Sequence, residues 1–237
     1  MTDALQFEIR DSIALMRLDD GKANALSFSL IEAAIDCLPR ALAEAKALVV
    51  LGRPGRFSAG FDLKVMMAGP AAAGKLLAAG AELFMRLYEH PQPVVAGVTG
   101  HAIAGGVLLS ACCDLRIGAR GDFKIGLNEV SVGIPVPILA HALASDRLDP
   151  RRVTESVLFA KLYDPEGAVA AGWLDRVADA DAVEAEAIAA ATELAKLPKD
   201  PYAKTKASLR RRTIDHVRAT LASNIAGLSS PPRSAAT

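Results

Sequence analysis

Two glycine-bearing segments and one glutamate are the parts of this 237-residue chain best suited to chemistry. The segment GHAIAGGVLLSACCDLRI (residues 100–117) puts Gly105 and Gly106 at the start of an apolar run. If that run is a helix, its first N–H groups have no intrahelical partner. Together with the positive end of the helix dipole they can hold a developing oxyanion. Glycine at this point lets a ligand approach the backbone closely. The segment RFSAGFDL (residues 56–63) has the same character, with Ala59, Gly60 and Phe61 following a short apolar strand. Two backbone donors from separate loops make an oxyanion hole. Glu129, in IGLNEVSVGI (residues 125–134), adds a carboxylate among apolar neighbours. Such surroundings raise a carboxyl pKa and turn the group into a usable base.

Each feature has a plainer alternative. Residues 94–113 are 20 positions without a formal charge when His101 is neutral, long enough for a membrane span. Four glycines, Thr99, His101, Ser110 and the β-branched residues before Gly97 fit a soluble strand, turn and helix better. A phosphate loop would need Lys and Ser or Thr after its last glycine; the chain has Gly106 and Val107 there and no GxGxxG. Paired glycines also serve tight helix packing, and a lone carboxylate is usually solvated or capping. His101 reads as a hydrogen-bonded loop histidine, His90 as a helix end and Ser58 as structural, since no nucleophile elbow surrounds it. Asp62 reads as a helix cap before Leu63, and Asp114 as the pin of a helix-to-strand turn.

The elements that must position these residues follow from the apolar pattern. Strands are predicted at 7–9, 13–18, 47–52, 94–98 and 114–119, with helices from Ser27 or Ser29 to about 45, over 71–88 and over 105–113. Residues 53–63 read as a loop. The chain from 147 onward reads as helical, with a helix, turn and brief extended segment over 164–178, then helices at 181–197 and 201–222. Strands alternating with helices indicate an α/β layered architecture. A composition shift near 180 divides the chain into a core, 1–180, and a helical appendage, 181–237, whose last nine residues, SSPPRSAAT, are expected to be disordered.

The chain carries 27 basic and 27 acidic residues, so no overall charge draws it to nucleic acid or anionic membrane. Cys37, Cys112 and Cys113 lack metal-ligand spacing and suit buried reduced thiols. The N-terminal residues show no secretory or transit pattern. A cytoplasmic protein is expected.

FSAGFDL and AIAGGVLLSACCDLRI, in that order and separation, resemble the two signature segments of the crotonase (enoyl-CoA hydratase/isomerase) superfamily. The KANAL loop, IGLNEVSVGIP and DPEGAVAAGWLDRVA also have counterparts there. The resemblance implies a ClpP-like crotonase fold: a repeated ββα spiral core with a C-terminal helical region, assembled as a homotrimer or dimer of trimers. It implies that the Phe61 and Gly105 N–H groups grip an acyl-CoA thioester carbonyl. Lys22, Ala23, Ala25 and Leu26 match the loop that cups coenzyme A. Ala59, Gly60, Asp62, Leu63, Leu108 and Asn128 complete the implied substrate-binding set, Asn128 either orienting the thioester or Glu129 or making a turn. Lys64 and the run Arg210 to Arg212 could meet CoA phosphates or simply face solvent. Coenzyme A arrives as part of the substrate, so no metal or separate cofactor is called for.

Hydratases of the family use two glutamates, and their positions fall here on Leu108 and Glu129. Leucine cannot accept a hydrogen bond, so one anchor for the attacking water is missing. A double-bond shift needs only one carboxylate to carry a proton from C2 to C4. The wording of the motifs is likewise closer to the mitochondrial-type Δ3,Δ2-enoyl-CoA isomerases. An isomerase is therefore expected, with a hydratase or a non-catalytic acyl-CoA binder as the alternatives.

Overall fold

The computed structural model describes residues 4–228. β1 (Leu5–Arg10), longer at both ends than the predicted strand at 7–9, and β2 (Ile13–Leu18) form an antiparallel hairpin. Its two-residue turn is Asp11 and Ser12, both at positive φ, which matches the right-handed twist of the strands. The Ser27 hydroxyl accepts the Leu30 N–H at 3.3 Å and so opens α1 (Phe28–Glu44).

Three strand pairs follow, each leading into helix. They are β3 (Ala47–Leu51) and β4 (Gly55–Ser58) before α2 (Leu63–Met67) and α3 (Pro70–Glu89); β5 (Val94–Val98) and β6 (Gly100–Ile103) before α4 (Gly105–Ala111); and β7 (Leu115–Ala119) and β8 (Ile125–Gly126) before α5 (Ile138–Arg147). The chain finishes with α6 (Pro165–Ala171), β9 (Arg176–Ala178), α7 (Val183–Leu194) and α8 (Lys199–Leu228). The first strand of each pair joins a six-stranded sheet of order β1-β2-β3-β5-β7-β9, and the second joins a three-stranded sheet of order β4-β6-β8. This is the repeated ββα spiral of the crotonase fold.

The large sheet is covered on both faces, so β3 and β5 are buried at every position. Leu15, Val49, Val95 and Ile117 face Ala187 and Ala191 of α7, while Met16, Leu48, Val50 and Ala96 join the main core. The small sheet is where the sequence reading falls short. Its strands have 4, 4 and 2 residues, too short to show a period of two, and β4 lies inside the predicted loop. α5 went unpredicted for a related reason, since only Leu139, Ala140, Leu143 and Ala144 of its ten residues are buried. α8 is also longer than its pattern suggested, and the proposed disorder of 229–237 lies outside the described residues.

Asp114 does more than pin a turn. Its carboxylate accepts the Val94 N–H at 2.8 Å, Lys206 Nζ at 2.7 Å and Arg210 Nη2 at 2.6 Å, and both cations are buried. Arg210 also donates to the Tyr88 carbonyl at 2.6 Å and stacks over the Tyr88 ring. Arg210 therefore fixes α8 to the body of the protein and is not available to a phosphate; Arg211 and Arg212 stay exposed. Removing the anion leaves two buried positive charges without the carboxylate that neutralises them, held only by the carbonyls of Tyr88 and Gln92. Asp114→Ala should lower the unfolding free energy by about 3–5 kcal/mol in a urea titration. A loss below about 1 kcal/mol would mean that water reaches the cations.

Candidate active site

The three strands of the small sheet are parallel, so their carboxyl ends lie along one edge. Phe61 comes three residues after β4, Gly105 two residues after β6 and Glu129 three residues after β8. The Ala104 N–H donates to the Gly126 carbonyl at 3.0 Å, tying the turn before Gly105 to the segment that leads to Glu129. The loops that follow the carboxyl ends of parallel strands are a recurrent place for ligands in α/β proteins.

The first donor is set by the KANAL loop. Leu26 and Phe61 form an isolated parallel bridge in which the Leu26 N–H donates to the Gly60 carbonyl at 2.8 Å and the Asp62 N–H to the Leu26 carbonyl at 3.2 Å. Leu26 uses both of its backbone groups in this pair, so the Phe61 N–H faces the other way. Gly60 makes the approach possible. It has φ +87°, and a Cβ on it would fall 2.9 Å from the Gly105 nitrogen. The second donor sits at the first position of α4, where the Gly105 N–H precedes any intrahelical acceptor. Ala104, before it, holds φ 54° and ψ −128°, a strained conformation for a residue with a side chain. Leu26 and the Phe61 ring close over Gly105, each 3.2–3.3 Å from where its Cβ would be.

Asn24 and Asp20, which the sequence reading passed over, hold this arrangement together with Ser58, in the structural role that reading gave it. Asn24 is fully buried at φ 52°, and its amide donates to the carbonyls of Leu18 (2.9 Å), Arg56 (3.1 Å) and Phe57 (3.1 Å). The Ser58 hydroxyl donates to the Asn24 carbonyl at 2.7 Å and accepts the Gly60 N–H at 3.2 Å. The Asp20 carboxylate accepts the N–H groups of Lys22, Asn24 and Ala25. Burial pushes the Asp20 pKa up, but these three donors bring it below its ordinary value. The sign in the sequence was the turn-forming run DDGKAN, in which asparagine tolerates a left-handed backbone.

The other site candidates fall around this frame. Ala23 accepts the Ala59 N–H at 3.0 Å, and Ala25 and Asn128 are half-buried. Lys22, Leu63 and Lys64 are exposed on the rim. Asp62 caps α2, its carboxylate accepting the Lys64 N–H at 2.8 Å. Asn128 gives its carbonyl to the Ser131 hydroxyl at 2.7 Å. Leu108 is buried one turn into α4 and meets the Phe61 side of a small apolar cavity. His101 accepts the Lys124 N–H at 3.0 Å from β6, a structural role.

Glu129 differs from every other acidic group in the site. Its Oε2 is buried with no hydrogen-bond partner among the described residues. Burial raises its pKa, and the nearby N–H groups of Glu129 and Asn128 only partly oppose this. Its carbonyl accepts the N–H groups of Val132 (3.1 Å) and Ile134 (2.9 Å), which fixes the turn carrying it. A desolvated carboxylate on the same sheet edge as two outward backbone donors is equipped to take a proton next to a carbonyl while the donors hold the oxygen. Among the described residues no group of His, Cys, Asp and Glu is arranged to hold a metal ion, and no helix is long and apolar enough to cross a membrane.

A family model described as enoyl-CoA hydratase/isomerase matches residues 8–236. The human mitochondrial enoyl-CoA delta isomerase 1 is 30% identical over 207 residues, covering 85% of this chain and 68% of the relative. A Mycobacterium tuberculosis structure described as an enoyl-CoA isomerase superposes with a TM-score of 0.89 at 37% identity, covering 96% of this chain and 99% of the other. A Mycobacterium marinum structure described as an enoyl-CoA hydratase reaches 0.87 at 35% identity, covering 95% and 97%.

Two measurements test the geometry of the site. Gly60→Ala forces a side chain onto a left-handed backbone and against the Gly105 nitrogen; it should cost at least about 1–2 kcal/mol of stability in urea. An unchanged midpoint would show that the turn has another conformation to use. The Glu129 pKa is raised by folding, so this carboxyl favours the folded state at pH below its unfolded pKa. That contribution is lost as pH rises through the folded value. Glu129→Gln cannot ionise, so its stability relative to wild type should increase between pH 4 and pH 8. A constant difference across that range would show a solvated carboxylate.

Proposed function

Because the chain belongs to the enoyl-CoA hydratase/isomerase family, we propose that it moves the double bond of a 3-enoyl-CoA to the trans-2 position. Glu129 is the single proton carrier, and the N–H groups of Phe61 and Gly105 are the oxyanion hole. The ionised carboxylate takes a proton from C2, and the electrons of that C–H bond pass into the thioester carbonyl to form an enolate. The two N–H groups stabilise the oxygen as its charge grows. The same carboxyl then gives its proton to C4, the double bond settles between C2 and C3, and Glu129 returns to its ionised state.

The observation that carries this reading is the lone, desolvated Oε2 of Glu129. Burial raises its basicity toward that needed to remove a carbon-bound proton. Leu108 offers no acceptor where a second acid would hold a water, and its burial makes that side of the site apolar. The KANAL loop, Lys22, Ala23, Ala25 and Leu26, receives the CoA portion, with Ala59, Gly60, Asp62 and Leu63 along its edge and Asn128 beside Glu129. The protein works in the cytoplasm as a homotrimer or dimer of trimers on this reading. The exposed apolar side chains of Val132, Leu158 and Phe159 suit such an assembly.

The test is a parallel assay of trans-3-hexenoyl-CoA isomerisation and crotonyl-CoA hydration. Wild type should isomerise with little hydration, and Glu129→Gln should lower kcat by about 10²–10⁴-fold. Leu108→Glu should gain hydration. Strong hydration by wild type would make the chain a hydratase whose water is anchored elsewhere. CoA-ester binding without turnover on either substrate would make it a binder.

A further inference from the structure

Ser58, the fully buried last residue of β4, meets both segments that carry the candidate backbone donors. Its hydroxyl gives its proton to the Asn24 carbonyl at 2.7 Å and accepts the Gly60 N–H at 3.2 Å, one residue before Phe61. On the α4 side, a Cβ added to Gly106 would fall 2.1 Å from the Ser58 carbonyl oxygen and 3.0 Å from the Ser58 Cβ. The first turn of α4, one residue after Gly105, therefore rests directly on Ser58. The last pair of the β4–β6 ladder is Ser58 with Ala102, so beyond it that ladder no longer spaces the two loops. Other contacts share the work. Leu26 holds the Gly60 carbonyl and the Asp62 N–H, the Ala23 carbonyl holds the Ala59 N–H, and the Gly126 carbonyl holds the Ala104 N–H. Gly60 and the Phe61 ring also lie against Gly105.

What those backbone bonds leave open is rotation at Gly60. The Leu26 bond fixes the peptide plane on the carboxyl side of Gly60, the plane that carries the Phe61 N–H. The plane on the amino side, which carries the N–H of Gly60 itself, is held by the Ser58 hydroxyl. Between the two planes lies a glycine at φ +87°, and glycine has the widest choice of backbone angles. We propose that Ser58 is a positioning residue of the oxyanion hole: its hydroxyl locks Gly60, so that the Phe61 N–H keeps a fixed distance and angle to the Gly105 N–H on the turn packed against the same residue. The proposal rests on the acyl-CoA reading above. Two donors must converge on one oxygen, and a hydrogen bond weakens steeply as its angle closes from linear. The strength of the pair thus depends on a buried hydroxyl that belongs to neither donor.

The carbonyl stretch of hexanoyl-CoA labelled with carbon-13 at the thioester carbon, read on the bound ester by infrared difference spectroscopy, reports both donors without requiring turnover. Wild type should lower the frequency below its value in water. Ser58→Ala should lose at least about a quarter of that lowering, since one of two donors is loosened and the other kept. A side chain that only stabilises the fold would change how much ester binds, not where its carbonyl absorbs. Ser58→Cys puts a weaker hydrogen-bonding group at the same place and should give a frequency between the two. It decides the matter if Ser58→Ala fails to fold by circular dichroism. A smaller loss in Ser58→Ala or, with that variant unfolded, the wild-type frequency in Ser58→Cys would overturn the proposal and leave the oxyanion hole intact. An ester that binds wild type with its carbonyl frequency unshifted would overturn the hole and the proposal with it. Failure of wild type to bind the ester would overturn the acyl-CoA reading as well.

Discussion

The parallel pairing of three very short strands is the constraint on which the site depends. β4, β6 and β8 contribute only ten residues, yet their shared direction brings three distant segments to one edge. Each is the second strand of a pair whose first strand lies in the large sheet. The large sheet is thereby the rigid reference: its buried β3, β5 and β7 set where each chain segment leaves, and the short strands carry that order to the loops. Such strands would not hold a sheet alone. They persist because the core behind them fixes their ends.

An oxyanion hole requires backbone N–H groups that are rigid but not already donating. Those demands conflict, because rigidity in a protein usually comes from using every backbone hydrogen bond. In the proposed oxyanion hole the resolution is local. Leu26 takes up the Gly60 carbonyl and the Asp62 N–H, so the chain is held on both sides of Phe61 while the Phe61 N–H stays unused. Asn24 and Ser58 hold Leu26's loop against β4 with buried side-chain bonds. At Gly105 a helix start does the same work, because a first-turn N–H is fixed in direction and has no intrahelical acceptor. The strained Ala104 is the conformational cost of turning from β6 into α4 within one residue.

What could be read from the sequence divides along physical lines. The strands of the large sheet are continuous apolar runs because helices cover both faces, and such runs are visible in one dimension. The small sheet is invisible there, since its pairing is imposed by tertiary context. Gly60 and Gly105 stand out by type, and their meeting needed the fold. Glu129 was suspected from apolar neighbours, yet the feature that matters, a buried and unpartnered oxygen, exists only in three dimensions. Asn24, Asp20 and Arg210 mislead for another reason: polar residues normally signal surface, and these three act by ending inside the structure or tying down a loop's backbone.

Leu108 has two consequences that reinforce each other. Without an acceptor at this position a water has no second anchor, and an apolar wall also makes the space unattractive to water. Both effects bear on the fate of an enolate. In a wet site it would collect a proton from solvent, at whichever carbon water reached first. In the proposed reaction within a dry site, the nearest proton is the one Glu129 takes from C2, and its return depends on where the carboxyl can reach. On the proposed reading, one leucine where hydratases of the family carry an acid removes a water anchor and makes that side of the site apolar, and both changes favour moving a proton between carbons over adding water.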